Sequence, residues 1–301
     1  MNRRTLLLST AALAAGTSMA HPPVAVAAST RSGRQVSATD GAHLFHREFG
    51  EGPRTLLFAS SWALDSRMWD YQVAHFAALG YRCVTWDRRG HGRSEIAAGG
   101  YDLDTLADDL GAVIEQLDLR DVILVGHSMG AAECLRYMAR SGGERVRKVA
   151  FIAPVAPFVL RTAGNPYGAP LAVYESVWAQ FANDFPGWAY DNQAAFFTEL
   201  TSRPLQEVLT RQLLETPVPV AIATHKALVT TDLRADLPRI QHPVLILHGD
   251  RDASAPLAIT GLRLAAGIPH AELKVYAGAP HGIWITHLAQ VNSDLEAFIR
   301  A

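Results

Sequence analysis

A five-residue row, Gly126-His127-Ser128-Met129-Gly130, joins an apolar run at 122–125 to an amphipathic stretch at 131–140. A short apolar run bounded by turn residues reads as a buried strand, and the stretch after it has helical spacing. The chain must therefore turn sharply from strand to helix, with a serine at the apex in a strained backbone conformation. Side chains two residues to either side of that apex would collide, which explains Gly126 and Gly130. Such a turn lifts the Ser128 hydroxyl above the sheet. It also aims the Met129 amide, at the start of the helix, towards the place where negative charge would develop on a carbonyl under attack.

The rest of the chain repeats this alternation. Residues 35–38 and 42–49 flank Thr39-Asp40-Gly41, a hairpin signal. Apolar runs at 56–59, 82–86, 149–152, 244–247 and 273–276 read as further strands. Helical spacing links Met68, Val73, Phe76 and Leu79, and Gly80 stops that helix. Leu103, Leu106, Leu110, Val113, Ile114 and Leu117 mark a second helix with acids in its first turns, and Leu288, Val291, Leu295 and Phe298 mark a last one. Strands separated by helices imply right-handed crossovers and a mostly parallel sheet covered on both faces. Between 152 and 244 the rhythm stops. Residues 155–200 hold 10 of the 25 aromatics, and 205–214 and 221–229 look helical. This stretch, 155–235, is expected to form a helical cap over the carboxyl ends of the strands, with 29–154 and 236–301 as the core.

A serine needs a base, and the chain has 12 histidines. His281, in Gly278-Ala279-Pro280-His281-Gly282, follows the last strand and so lies at the same sheet edge as Ser128. His270 lies at the opposite edge, His287 opens the final helix, and His91 fixes a loop between two glycines. Asp252, in Gly249-Asp250-Arg251-Asp252 after the strand at 244–247, is the expected orienting carboxylate, with Asp250 bracing the turn.

These rows resemble the α/β-hydrolase superfamily, and within it the cofactor-free haloperoxidase/perhydrolase and arylesterase group. The resemblance runs from about residue 42 to 299. It includes Trp86-Asp87-Arg88-Arg89-Gly90-His91-Gly92-Arg93-Ser94, the serine turn, Asn165-Pro166-Tyr167-Gly168-Ala169-Pro170, Leu247-His248-Gly249-Asp250 and Tyr276-Ala277-Gly278-Ala279-Pro280-His281-Gly282. It implies the α/β-hydrolase fold, an eight-stranded, mostly parallel sheet with a helical cap. It also implies a Ser128–Asp252–His281 triad that uses no metal or organic cofactor. The group usually carries His-Gly-aromatic-Pro after the third strand; this chain has Ser60-Ser61-Trp62-Ala63, closer to the Asn-Ser-Leu-Gly of enol-lactonases. By position, the backbone amides of Trp62 and Met129 would form the oxyanion hole. Trp62, His127, Phe158, Tyr167 and Trp178 are expected to line the substrate pocket, with His127 packing inside the turn.

Composition narrows the function. The 27 basic residues nearly balance 29 acidic ones, which excludes a broad electrostatic footprint for nucleic acid. Cys83 and Cys134 cannot form a disulfide framework and read as buried thiols. The expected partners are a small apolar or aromatic ester or lactone and, in an oligomer, a second copy of the chain. The leading reading is a serine hydrolase with a perhydrolase side activity. Enol-lactonase or carbon–carbon hydrolase chemistry is the nearest alternative, and a non-catalytic small-molecule receptor is the rival of another class. Residues 1–28 read as an export signal: Arg3 and Arg4 in a twin-arginine-like row, an apolar run at 5–15 too short to span a membrane, and small residues at Ser18-Met19-Ala20 and Ala25-Val26-Ala27. The mature protein is thus expected outside the cytoplasm, periplasmic or secreted, with no integral membrane span. N-terminal sequencing of that protein should begin near His21 or Ala28; an intact Met1 would reject cleavage.

Overall fold

The computed structural model describes residues 34–301. The expected export signal lies outside the described residues. The chain opens with β1 (Arg34–Ser37) and β2 (His43–Phe49), paired antiparallel. Gly41 takes φ 89° at their turn, and Asp40 Oδ1 accepts from the Ala42 amide at 3.2 Å. Then come β3 (Thr55–Ala59), α1 (Asp70–Ala78), β4 (Arg82–Trp86), α2 (Leu103–Gln116), β5 (Val122–His127), α3 (Met129–Ser141) and β6 (Val146–Ile152). Helices α4 (Leu171–Asp191), α5 (Arg203–Leu214) and α6 (Val218–Thr230) occupy the interval before β7 (Val244–Gly249). The chain ends with α7 (Gly261–Gly267), β8 (Ala271–Tyr276), α8 (Ile283–Thr286) and α9 (Leu288–Arg300).

The eight strands form one sheet in the order β1-β2-β4-β3-β5-β6-β7-β8. The β1–β2 and β2–β4 pairings are antiparallel, so β2 alone runs against the other strands; every pairing from β4 to β8 is parallel. Strands β3 and β5 are buried along their whole length, as the apolar runs require. Strand order reverses between β3 and β5: from β3 the chain steps outwards to β4, and returns to β5 on the other side. Loops after two such strands diverge and leave a crevice at the carboxyl edge. Ala59 pairs with Gly126, so Ser60-Ser61-Trp62 and His127-Ser128 leave the sheet side by side.

Local sequence explains the helix ends. The Asp102 side chain accepts from the Thr105 amide at 3.0 Å and caps α2. Helix α4 is less regular. Asp184 has non-helical backbone angles (φ −154°, ψ 75°), and its Oδ1 accepts from the Gly187 amide at 2.9 Å. Asp184 thus caps a second helical segment, with Pro186 in its first turn where a missing N–H is harmless. The kink turns Phe181, Phe185 and Trp188 towards one another.

A buried ion pair ties the crevice together. Arg88, on the loop after β4, bonds to both carboxylate oxygens of Glu133 in α3. The same guanidinium donates to the Ser60 and Ser61 carbonyls at 2.7 and 3.1 Å. Arg89 turns the other way, to Asp109 at 2.6 and 2.7 Å and to Asp40 at 2.8 Å. The Arg88 pair is fully buried, so removing one partner strands a charge. Glu133→Ala should lower the unfolding free energy by about 3–5 kcal/mol in urea titrations. The double variant Arg88→Met, Glu133→Leu should recover part of that loss.

Candidate active site

Ser128 has φ 55° and ψ −114°, a conformation that L residues avoid. Its neighbours make room for it. A Cβ on Gly126 would lie 2.6 Å from the Gly130 carbonyl oxygen, and one on Gly130 would strike the Ala59 carbonyl. The serine therefore stands on a turn that only glycines at 126 and 130 permit, at the N-terminus of α3.

His281 lies on the loop after β8, and its Nε2 is 2.9 Å from Ser128 Oγ. Its Nδ1 is 2.7 Å from Asp252 Oδ2. A carboxylate only accepts, so Nδ1 carries the proton and Nε2 is free to accept the serine proton. The loop is held on three sides. Asp250 Oδ1 accepts from the Gly278 amide at 2.7 Å, bracing the turn. The Ala195 and Phe196 carbonyls accept from the His281 and Gly282 amides at 3.0 and 3.1 Å. His127 Nε2 meets the His281 carbonyl at 3.0 Å.

Asp252 is buried, and burial alone would raise its carboxyl. The positive charge His281 carries once it has taken a proton, with hydrogen bonds from His248 and His281, outweighs that and holds it well below the usual carboxylate range. Its Oδ1 accepts from the Ala255 amide at 2.7 Å. His248 Nε2 donates to the Ala255 carbonyl at 2.8 Å and lies 3.3 Å from Asp252 Oδ2. Sequence reasoning gave His248 no role; the only signal was its place in the row before Asp250.

Among the described residues the Trp62 and Met129 amides have no acceptor; Met129 follows Ser128 in the chain, and Trp62 lines the same cavity as Ser128. The Trp62 indole donates to the Ala221 carbonyl of α6 at 2.9 Å and stacks on Phe181 at 5.0 Å. A cavity of about 370 Å³ opens over the serine, walled by Trp62, Val155, Tyr174, Trp188, Phe196, His225 and Leu228 among others. Among the described residues, no Lys, Arg, Asp or Glu lines it.

Of the five residues expected to line the pocket, the cavity wall includes Trp62 but not the other four. His127 is sealed beneath the triad against Trp284 and Trp69, because strand alternation points it into the core. Phe158 is buried under the Arg234 guanidinium. Tyr167 is 59% exposed and lies under Arg263. Trp178 stands behind the wall, where its indole N–H donates to His225 at 2.9 Å. Tyr174, Trp188, Phe196 and His225 take the places next to the cavity. Among the described residues no His/Cys/Asp/Glu group could hold a metal ion, and no helix is long and apolar enough to cross a membrane.

A serine, histidine and aspartate in hydrogen-bond sequence at the carboxyl edge of a mostly parallel sheet define a class of hydrolase. The sequence profile of the alpha/beta hydrolase fold family matches residues 54–288, and the chain belongs to that family. It is 36% identical over 280 residues to a non-heme haloperoxidase from Rhodococcus erythropolis, covering 88% of this chain and 99% of that one. It is 34% identical over 279 residues to a bifunctional esterase/perhydrolase from Acinetobacter calcoaceticus, with 88% and 99% covered. The crystal structure of a bromoperoxidase from Bacillus anthracis superposes with a TM-score of 0.85 at 31% identity, covering 90% of this chain and all of that one.

The two aspartates of the loop after β7 separate by function. Asp252→Asn should lower kcat by about 10⁴-fold, because an amide can donate to Nδ1 and so favours the wrong imidazole tautomer. Asp250→Asn should leave kcat within about tenfold, since the amide oxygen of Asn can still accept from the Gly278 amide. A greater kcat loss in folded Asp250→Asn would reverse the two roles.

Proposed function

We propose that this protein hydrolyses small neutral carboxylic esters or lactones through an acyl-enzyme on Ser128. The observation that carries the reading is the continuous hydrogen-bond path from Ser128 Oγ through His281 to Asp252 at the floor of an uncharged cavity. Ser128 Oγ attacks the carbonyl carbon as its proton passes to His281 Nε2. The Trp62 and Met129 amides receive the negative charge that forms on the carbonyl oxygen. Asp252 stabilises the imidazolium and keeps it in register. The carbon–oxygen bond to the leaving alcohol then breaks, and His281 returns the proton to that alcohol. Water repeats the sequence in reverse: it gives a proton to His281, attacks the acyl carbon and frees Ser128. Hydrogen peroxide in place of water would release a peracid by the same steps. That agrees with the names of the haloperoxidase and esterase/perhydrolase relatives.

Residues 155–235 act in this reading as the cap that closes the cavity. An uncharged lining favours neutral substrates over lactones that carry a free carboxylate, since a buried carboxylate needs a partner. The same proposal places the mature protein outside the cytoplasm, on the support of the N-terminal sequence pattern alone.

A fluorophosphonate probe tests the hydrolase against a non-catalytic receptor. The wild type should gain one covalent adduct at Ser128 by mass spectrometry. Ser128→Ala should gain none and lose esterase activity by at least about 10³-fold, with an unchanged circular-dichroism spectrum. An unlabelled, folded wild type would end the enzyme reading.

A further inference from the structure

His225, on α6, is a feature of the cavity that the triad chemistry does not use. Its ring lines the same cavity as Ser128 and His281. On one side the Trp178 indole N–H donates to its Nδ1 at 2.9 Å. An indole N–H can only donate, so Nδ1 must be the acceptor and the neutral ring carries its hydrogen on Nε2. Burial keeps the ring neutral, pushing its pKa down to about 4. Protonation would also turn Nδ1 into a donor facing another donor.

Among the described residues Nε2 has no acceptor, and it is not sealed off within the protein. Two other polar groups on that side are tied to the backbone: the Tyr174 hydroxyl donates to the Val159 carbonyl at 3.1 Å and the Asn192 amide to the Trp188 carbonyl at 2.8 Å. The ring packs edge-on against Trp62 at 5.2 Å and Phe181 at 5.5 Å, which fixes its plane. Trp62 also carries the backbone amide assigned to the oxyanion, so His225 is in ring contact with the loop that would receive the scissile carbonyl.

We propose that His225 is a specificity-determining residue whose Nε2–H binds a neutral oxygen in the acyl part of the substrate, remote from the scissile carbonyl. The preferred substrates are then oxo-acyl esters or lactones rather than plain alkanoyl ones. This rests on the hydrolase reading and narrows it. A carbonyl oxygen suits the site because it accepts without carrying charge. A carboxylate does not suit it, because among the described residues neither Lys nor Arg lines the cavity. A purely alkyl acyl chain would leave the Nε2–H without a partner once the cap has excluded water, a penalty that selects against it.

The test compares p-nitrophenyl hexanoate with p-nitrophenyl esters of 4-oxohexanoic and 5-oxohexanoic acid. In the wild type, kcat/KM should be about tenfold higher for at least one oxo ester than for hexanoate. His225→Phe should remove that ratio, and His225→Gln, which keeps an N–H donor, should restore part of it. Trp178→Phe should shrink the ratio, because Nδ1 is then free to take the proton. Nitrogen-15 NMR of histidine-labelled wild type should show the His225 pair with an unprotonated Nδ1 and a protonated Nε2 at neutral pH; a merely structural histidine would not couple this state to the oxo preference. A ratio near one in the wild type, or equal losses on all three esters in His225→Phe, would overturn the proposal while leaving the hydrolase reading intact. Failure of the wild type to hydrolyse any of the three, with Ser128 unlabelled by fluorophosphonate, would overturn both.

Discussion

The strained backbone at Ser128 governs how the rest of the site is arranged. A residue at φ 55° and ψ −114° stays there only if its surroundings over-determine it. Three features do so. The apolar run of β5 is locked between β3 and β6. Gly126 and Gly130 allow strand and helix to approach within contact distance. Glu133, one turn into α3, binds Arg88, and Arg88 binds the carbonyls of Ser60 and Ser61. The same guanidinium therefore joins the serine helix to the loop that carries the Trp62 amide. The proposed oxyanion donors are backbone groups, so their position would depend on loop placement rather than on any side chain of their own.

A second layer of order sits beneath His281. Asp252 keeps its charge in a buried place because every nearby group favours the carboxylate: the Ala255 amide, His281 Nδ1 and His248 Nε2. His248 cannot reverse this role easily, since its Nε2 hydrogen is fixed by the Ala255 carbonyl. The His281 loop is meanwhile held by the carbonyls of Ala195 and Phe196, on the segment between α4 and α5. The helices inserted between β6 and β7 thus roof the cavity and also hold the base in place. Trp62 makes a second link of this kind through its bond to Ala221. In the proposed reading, substitutions in these helices reach kcat as well as substrate choice.

Much of this molecule can be read from local sequence. The hairpin at Asp40-Gly41, the capped start of α2 and the glycines around Ser128 follow from rules that act over a few residues. Chain order then puts Ser128, Asp252 and His281 after parallel strands, and parallel strands present their following loops at one edge. That is why three residues up to 153 positions apart lie within hydrogen-bond distance.

The tertiary structure alone decided the cavity wall. Phe158, Tyr167 and Trp178 are as aromatic as Tyr174, Trp188 and Phe196, and composition cannot rank them. The kink at Asp184 sets which way the second half of α4 faces, and packing on α6 selects His225 over its neighbours. Partners distant in sequence, such as Arg88 with Glu133 and Trp178 with His225, appear only once helices are docked. The physical reason is range. Turn strain, capping and hydrophobic periodicity act along the chain and leave a signature in adjacent residues. The direction of a side chain towards a cavity depends on how rigid elements pack against one another, and no short stretch of sequence carries that information.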